Sequence, residues 1–161
     1  MNPMHDFEQL WAMQPTAFVA FLQEQADVAA RGDALPEARS GVLNLESDNA
    51  PYELVNGVAV IPVEGVISRL GGWYGTGLRN MQSALDQALT DPAARAVLFS
   101  VYSPGGSASG VKEFSDAVYA ARRVKPCAAW VDGLCASAGY WIASATGTVF
   151  AGPSAIVGSI G

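Results

Sequence analysis

Histidine is nearly missing from this chain of 161 residues: the one copy, His5, lies in a polar N-terminal stretch. That argues against a Ser-His-Asp triad and against a His-based metal site. Cysteine is scarce as well. Cys127 and Cys135 have the spacing of neither a zinc site nor a redox motif, and they read as two buried, reduced thiols. Positive charge is thin. Against 15 acidic residues stand 9 basic ones, for a formal net charge of −6, and only Arg122-Arg123 are paired. Such a surface repels phosphate backbones, so nucleic acid is not an expected partner. Long apolar runs are missing too, the longest falling short of the roughly 18–20 residues a membrane span needs. Asp6 and Glu8 stand where a leader would be basic, so no signal peptide is read and a cytoplasmic location is expected.

What the chain does have is apolar material: 50% of its residues are hydrophobic and only 15% charged, enough for a core and too little charge for a disordered protein. Residues 1–51 read as an N-terminal helix and linker. Leu10, Trp11, Phe18, Phe21, Leu22 and Val28 recur at helical spacing between Phe7 and Ala30, with Pro15 better suited to a helix start than an interior. Arg31 to Pro51 is rich in Gly, Pro, Asp, Asn and Ser and reads as linker. The globular part, residues 52–161, begins with a buried strand at Val58–Val63. A glycine-rich loop, Ser68 to Gly77, carries Trp73 and Tyr74 and reads either as packing against a neighbour or as a mobile flap over a groove. Helix Leu78–Leu89, strand Ala96–Val101, helix Ser107–Val124, strand Ala128–Asp132, helix Ser137–Ala145 and a short strand near Thr148–Ala151 follow. This alternation implies an α/β fold of repeated right-handed βαβ units around a parallel sheet.

Two stretches carry chemistry. Ser103-Pro104-Gly105-Gly106 and Cys135-Ala136-Ser137-Ala138-Gly139 each sit where an apolar run gives way to a helical pattern. Gly106, read as lying just ahead of a helix, could present an unobstructed backbone N–H to an oxyanion, with the helix's positive end behind it. The plainer reading is a tight turn. Ser137 sits among small residues that let a substrate carbonyl approach, and the Ala138 N–H would be a second oxyanion donor. Its plainer reading is a helix N-cap. Ser103, Ser107, Ser109 and Ser159 are better read as turn or cap residues. Cys135 is a weaker rival nucleophile, with no histidine nearby to activate it.

Together with Val157-Gly158-Ser159-Ile160-Gly161, these stretches resemble the SppA-type serine peptidases (signal peptide peptidase A), and more closely their phage relatives that process capsid precursors. The resemblance covers roughly Gly57 to Gly161. It implies a ClpP/crotonase-like fold, no cofactor, and a homo-oligomer acting on an extended polypeptide laid along a strand edge near Gly105-Gly106. In the phage branch the substrate would be a scaffold or portal protein. Ser137 falls at the family's nucleophile position, with Gly106 and Ala138 as oxyanion donors and Gly105 at the substrate.

The family's base is a lysine that must be neutral to accept the serine proton, and it comes later in the chain than Val157–Gly161. This sequence stops 24 residues after Ser137, so it reads as truncated at the C-terminus and is expected to be inactive alone. Lys125 would lie about 20 Å from Ser137, at the far end of its strand. Lys112 reads as a solvated helix lysine. Apolar Val149-Phe150 and Ile156-Val157 are expected to be left partly uncovered, favouring self-association. Two other classes remain open: a crotonase-like acyl-CoA enzyme, in which paired N–H groups hold a thioester enolate, and a non-catalytic capsid-assembly subunit.

Overall fold

Alternating burial builds the centre of the sheet. The computed structural model describes residues 11–13, 51–72 and 75–160. Strand β3 (Val58–Ile67) buries Ala59, Ile61 and Val63; β4 (Ala96–Ser107) buries Val97, Phe99 and Val101; β5 (Cys127–Ala136) buries Ala129 and Val131. Parallel registers align these rows, Ile61 opposite Phe99 and Phe99 opposite Ala129. Period-2 alternation therefore turns one face of the sheet into a continuous apolar surface.

Among the described residues, three helices cover that face. Helix α1 (Leu78–Thr90) buries Leu78, Met81, Leu85 and Ala88, the stripe expected from the sequence. Helix α2 (Val111–Ala121) buries Val111, Phe114 and Val118. Phe114 meets Phe99 edge to face, ring centroids 6.2 Å apart. The short α3 (Ala138–Ala145) buries Ile142 and Ala143. The opposite row, with Pro62, Tyr102 and Trp130, is exposed. None of these helices is long and apolar enough to cross a membrane.

Sheet order is β2-β3-β4-β5-β6, with two short strands off this path. Strand β2 (Glu53–Val55) makes an antiparallel hairpin with β3. Its turn is Asn56-Gly57, at φ 51° and 82°, the Asn-Gly pair a type I′ hairpin demands. β2 pairs with β3 only as far as Val60; further along, the segment around Thr76 lines the same edge, with Gly65 bridged to Gly75. Glu64 points its N–H away from β4, to the Thr76 hydroxyl at 2.8 Å, so the Pro62 nitrogen two residues earlier faces the same way and costs the β3–β4 ladder no donor. Strands β6 (Val149–Ala151) and β7 (Ile156–Gly158) both pair parallel with β5, at different points along it. The mainly parallel α/β architecture is thus the one the alternation implied.

Several boundaries differ from the sequence reading. β4 and β5 run on to Ser107 and Ala136, well past Val101 and Asp132, because partner strands on both sides keep these small residues paired. Helix α2 accordingly opens at Val111, with Gly110 at φ 85° turning the chain into it. Trp11–Met13 is strand β1, antiparallel to β4, and not part of a helix: the open β4 edge recruits it into a ladder. The rest of the expected helix, the linker before Pro51, and Trp73 and Tyr74 lie outside the described residues. The described part of the Ser68–Gly77 loop is tied down, with Ser68 N–H on Thr76 O at 3.1 Å and Thr76 N–H on Val66 O at 3.1 Å. Backbone bonds of this kind anchor both ends of the loop on β3 and α1.

Candidate active site

The first motif lies within a strand. Ser103 through Gly106 are all buried within the last five residues of β4, so Gly106 stands five residues before α2, and its N–H is not backed by that helix's positive end as the sequence suggested. Ser103 organises the segment. Its hydroxyl, 0% exposed, donates to Gly65 O at 2.6 Å and accepts the Gly105 N–H at 3.1 Å. Gly105, at φ 105°, adopts a backbone only glycine enters readily. Its N–H is committed to Ser103. A Cβ at Gly106 would sit 1.9 Å from Ile67 O, so strand–strand approach alone demands glycine there.

The second motif sits at the end of a bulged strand. Val101 pairs with Val131, but the next pair is Ser103 with Cys135, so β5 spends two extra residues on the same advance. Gly133, at φ 97°, lies in the bulge, packed by position against the Tyr102 ring. The bulge bends β5 away from β6 and onto β7, where Leu134, Cys135 and Ala136 pair with Ile156, Val157 and Gly158.

Ser137 follows at φ 54°, ψ −119°, between β5 and α3. This is not the extended backbone of an N-cap, and the Ser137 side chain makes no capping hydrogen bond. Ser137 holds the N-cap position, as the plainer reading had it, but its hydroxyl does no capping. For a non-glycine residue such a backbone stores on the order of 1–3 kcal/mol and persists only where its surroundings enforce it. They do so here: Ser137 N–H donates to Gly158 O at 2.9 Å, and Ser137 O accepts from Trp141 N–H at 2.9 Å. A half-buried hydroxyl on a sharp strand-to-helix turn has the form of a nucleophile elbow. The next N–H, of Ala138, belongs to the first helical turn and has no partner within the helix.

Folding brings the two motifs together. Ser103 pairs with Cys135, and a Cβ at Gly139 would lie 3.2 Å from Ser103 Cβ. Sequence reasoning missed the supporting strand β7. Gly158 contributes a carbonyl that fixes Ser137, and the only local signal was the short β-branched pair Ile156-Val157 before a glycine.

The remaining candidates are occupied or inert. Cys135 is 0% exposed, and burial pushes its thiol up to about 11. Burial also raises Cys127, whose Sγ lies 3.3 Å from Lys125 O. Lys112 is exposed and ion-paired with Asp116 at 2.5 Å, a contact that raises its pKa and holds it protonated. Lys125 donates to Ala88 O and Asp91 O, both at 2.7 Å, closing the C-terminus of α1. Both lysine amines are thus already engaged by other partners. His5 lies outside the described residues.

Comparison with known proteins shows what this chain is similar to. The profile of peptidase family S49 matches residues 120–161, the span that holds Ser137. Head-tail preconnector protein GP5 of Enterobacteria phage P21 is 37% identical over 115 residues, covering 68% of this chain and 23% of that protein. Capsid assembly protease C of Escherichia phage lambda is 33% identical over 145 residues, covering 83% of this chain and 33% of that protein. The chain thus spans about a quarter to a third of the length of these curated relatives. Among solved structures, a probable enoyl-CoA hydratase from Mycobacterium smegmatis superposes with a TM-score of 0.53 at 16% identity, over 65% of this chain and 49% of that one. That likeness establishes the fold alone. The chain is therefore similar to peptidase family S49 over residues 120–161 and to these phage proteins over most of its length, and it is built on a ClpP/crotonase-like α/β fold.

Proposed function

We propose that this chain carries the nucleophile of an SppA-like serine endopeptidase, with Ser137 attacking the scissile carbonyl. The observation that carries the reading is the backbone of Ser137, held at φ 54°, ψ −119° with its hydroxyl unused by the helix behind it. In the attack the Ser137 Oγ–carbon bond forms as its proton passes to a neutral lysine amine. The oxyanion is held by the N–H of Ala138 and that of Gly106, each donor worth about 10²–10³ in rate. Collapse expels the amine product, which takes the proton back, and water then hydrolyses the acyl-enzyme. The engagement of Lys112 and Lys125 supports a base from outside these 161 residues.

The substrate is an extended polypeptide bound along the β4 edge, with Gly105 beside it, in a homo-oligomer. The similarity to capsid assembly protease C of phage lambda supports a phage structural precursor, such as a scaffold or portal protein, as its natural form, met in the host cytoplasm or the prohead. The test is hydrolysis of a casein-type substrate by the protein extended past Gly161, with fluorophosphonate labelling read by peptide mass spectrometry. The expected result is turnover and an adduct on Ser137, both lost in Ser137→Ala, and no turnover by residues 1–161 alone. Turnover that survives in Ser137→Ala overturns the assignment. Coenzyme A binding without labelling would favour an acyl-CoA enzyme, and neither signal a non-catalytic assembly subunit.

A further inference from the structure

The peptide-binding edge of β4 is already taken by the chain itself. β5 accompanies β4 only as far as the Ser103–Cys135 pair. On the other side β3 stays paired through Ile67 opposite Gly106. Beyond Ser103, then, the backbone of β4 faces open space on the side that β5 has left, next to the turn that carries Ser137. β1 fills that space: Trp11, Ala12 and Met13 stand opposite Ser107, Gly106 and Gly105. Running antiparallel, β1 comes closest in register to Ser103 at its Met13 end. An extended peptide entering the site as an added strand needs the same edge.

We propose that Trp11–Met13 is a tethered occupant of the substrate edge, an intramolecular strand that a polypeptide substrate must displace before it reaches Ser137. This rests on the reading of the β4 edge as peptide-binding, not on the reactivity of Ser137. Two strands cannot hold one edge, so occupancy by β1 and by substrate exclude each other. A segment on its own chain competes at an effective concentration of about a millimolar. A free peptide of weak affinity is therefore held off by roughly tenfold or more while β1 is in place.

The intact 161-residue chain is compared with Ala12→Pro, in which a prolyl nitrogen cannot join the ladder. The probe is a fluorescein-labelled peptide with the sequence of residues 9–16, followed by fluorescence anisotropy. Tenfold or tighter binding to Ala12→Pro than to the parent is the expected result. Equal affinity for the two, or binding to neither, overturns the proposal. Hydrogen exchange of the parent alone gives a second reading that does not depend on the variant folding. Protection is expected within Trp11–Met13, whose only ladder partner is β4, and exchange of all three of these amides at open-edge rates overturns the proposal. Both measurements are repeated with Ser137→Ala, where the same results are expected. A failure of the nucleophile assignment is thereby kept apart from a failure of this one.

Discussion

Gly139 and Ser103 lie so close that a β-carbon on the glycine would sit 3.2 Å from Cβ of the serine. This contact joins the turn carrying Ser137 to the buried hydroxyl that holds β4 against β3 at Gly65. Gly139→Ala gains about 1 kcal/mol of helix propensity but must push Ser103 aside. The expected net change in urea denaturation is within about 1 kcal/mol. Gly139→Val, with two further carbons to place, is expected to destabilise by about 2 kcal/mol or more. A stable Gly139→Val protein would mean that the motifs are not in contact.

Ser137 should be worth more to chemistry than to stability. Its positive φ costs free energy that glycine would not incur, whereas alanine keeps the strain. Ser137→Gly is therefore expected to be more stable than Ser137→Ala by about 1 kcal/mol, with neither active in the extended enzyme. Thermal denaturation of the two variants checks this. Equal stability would show that the turn is not enforced by its surroundings.

Gly106 is a poor probe of the oxyanion, although its N–H is a proposed donor. Any side chain there meets Ile67 O at 1.9 Å, before it could crowd a substrate. Gly106→Val, and even Gly106→Ala, is expected to disrupt the β3–β4 pairing and destabilise by about 3 kcal/mol or yield insoluble protein. A folded, soluble Gly106→Ala with an unshifted denaturation midpoint would contradict the pairing of Ile67 with Gly106.

Stability is expected to fall at both extremes of pH through one hydrogen bond, the Tyr52 hydroxyl donating to Asp91 at 2.7 Å. Burial first, and then the bond to Asp91, raises Tyr52 from 10.0 to about 12. Its contribution is whole below pH 10 and is lost as the pH rises through about 12. Asp91 is lowered, chiefly by the Tyr52 bond and then by the Ala93 N–H, from an ordinary 3.8. Its contribution is present above that value and fades as the pH falls through the lowered one. Tyr52→Phe is expected to flatten the alkaline limb and weaken the acid limb in urea denaturation. Unchanged limbs would mean that the bond is not formed in solution.

Much of this protein was legible from residue order, because local physics decided it. Short apolar runs marked the cores of β3, β4 and β5, and the Leu78–Met81–Leu85 stripe marked α1. Small residues after an apolar run marked Ser137 as a turn hydroxyl, and the Asn56-Gly57 pair announces a hairpin that patterning alone would have revealed. Tertiary structure decided what depends on pairing between distant segments. The bulge at Gly133, the hold of Gly158 on Ser137, and the contact of Gly139 with Ser103 are consequences of register. So is the placement of Trp11–Met13, whose apolar spacing suits a helix but whose backbone joins an open strand edge. Propensity is worth tenths of a kcal/mol per residue, and a ladder with a buried strand outweighs it.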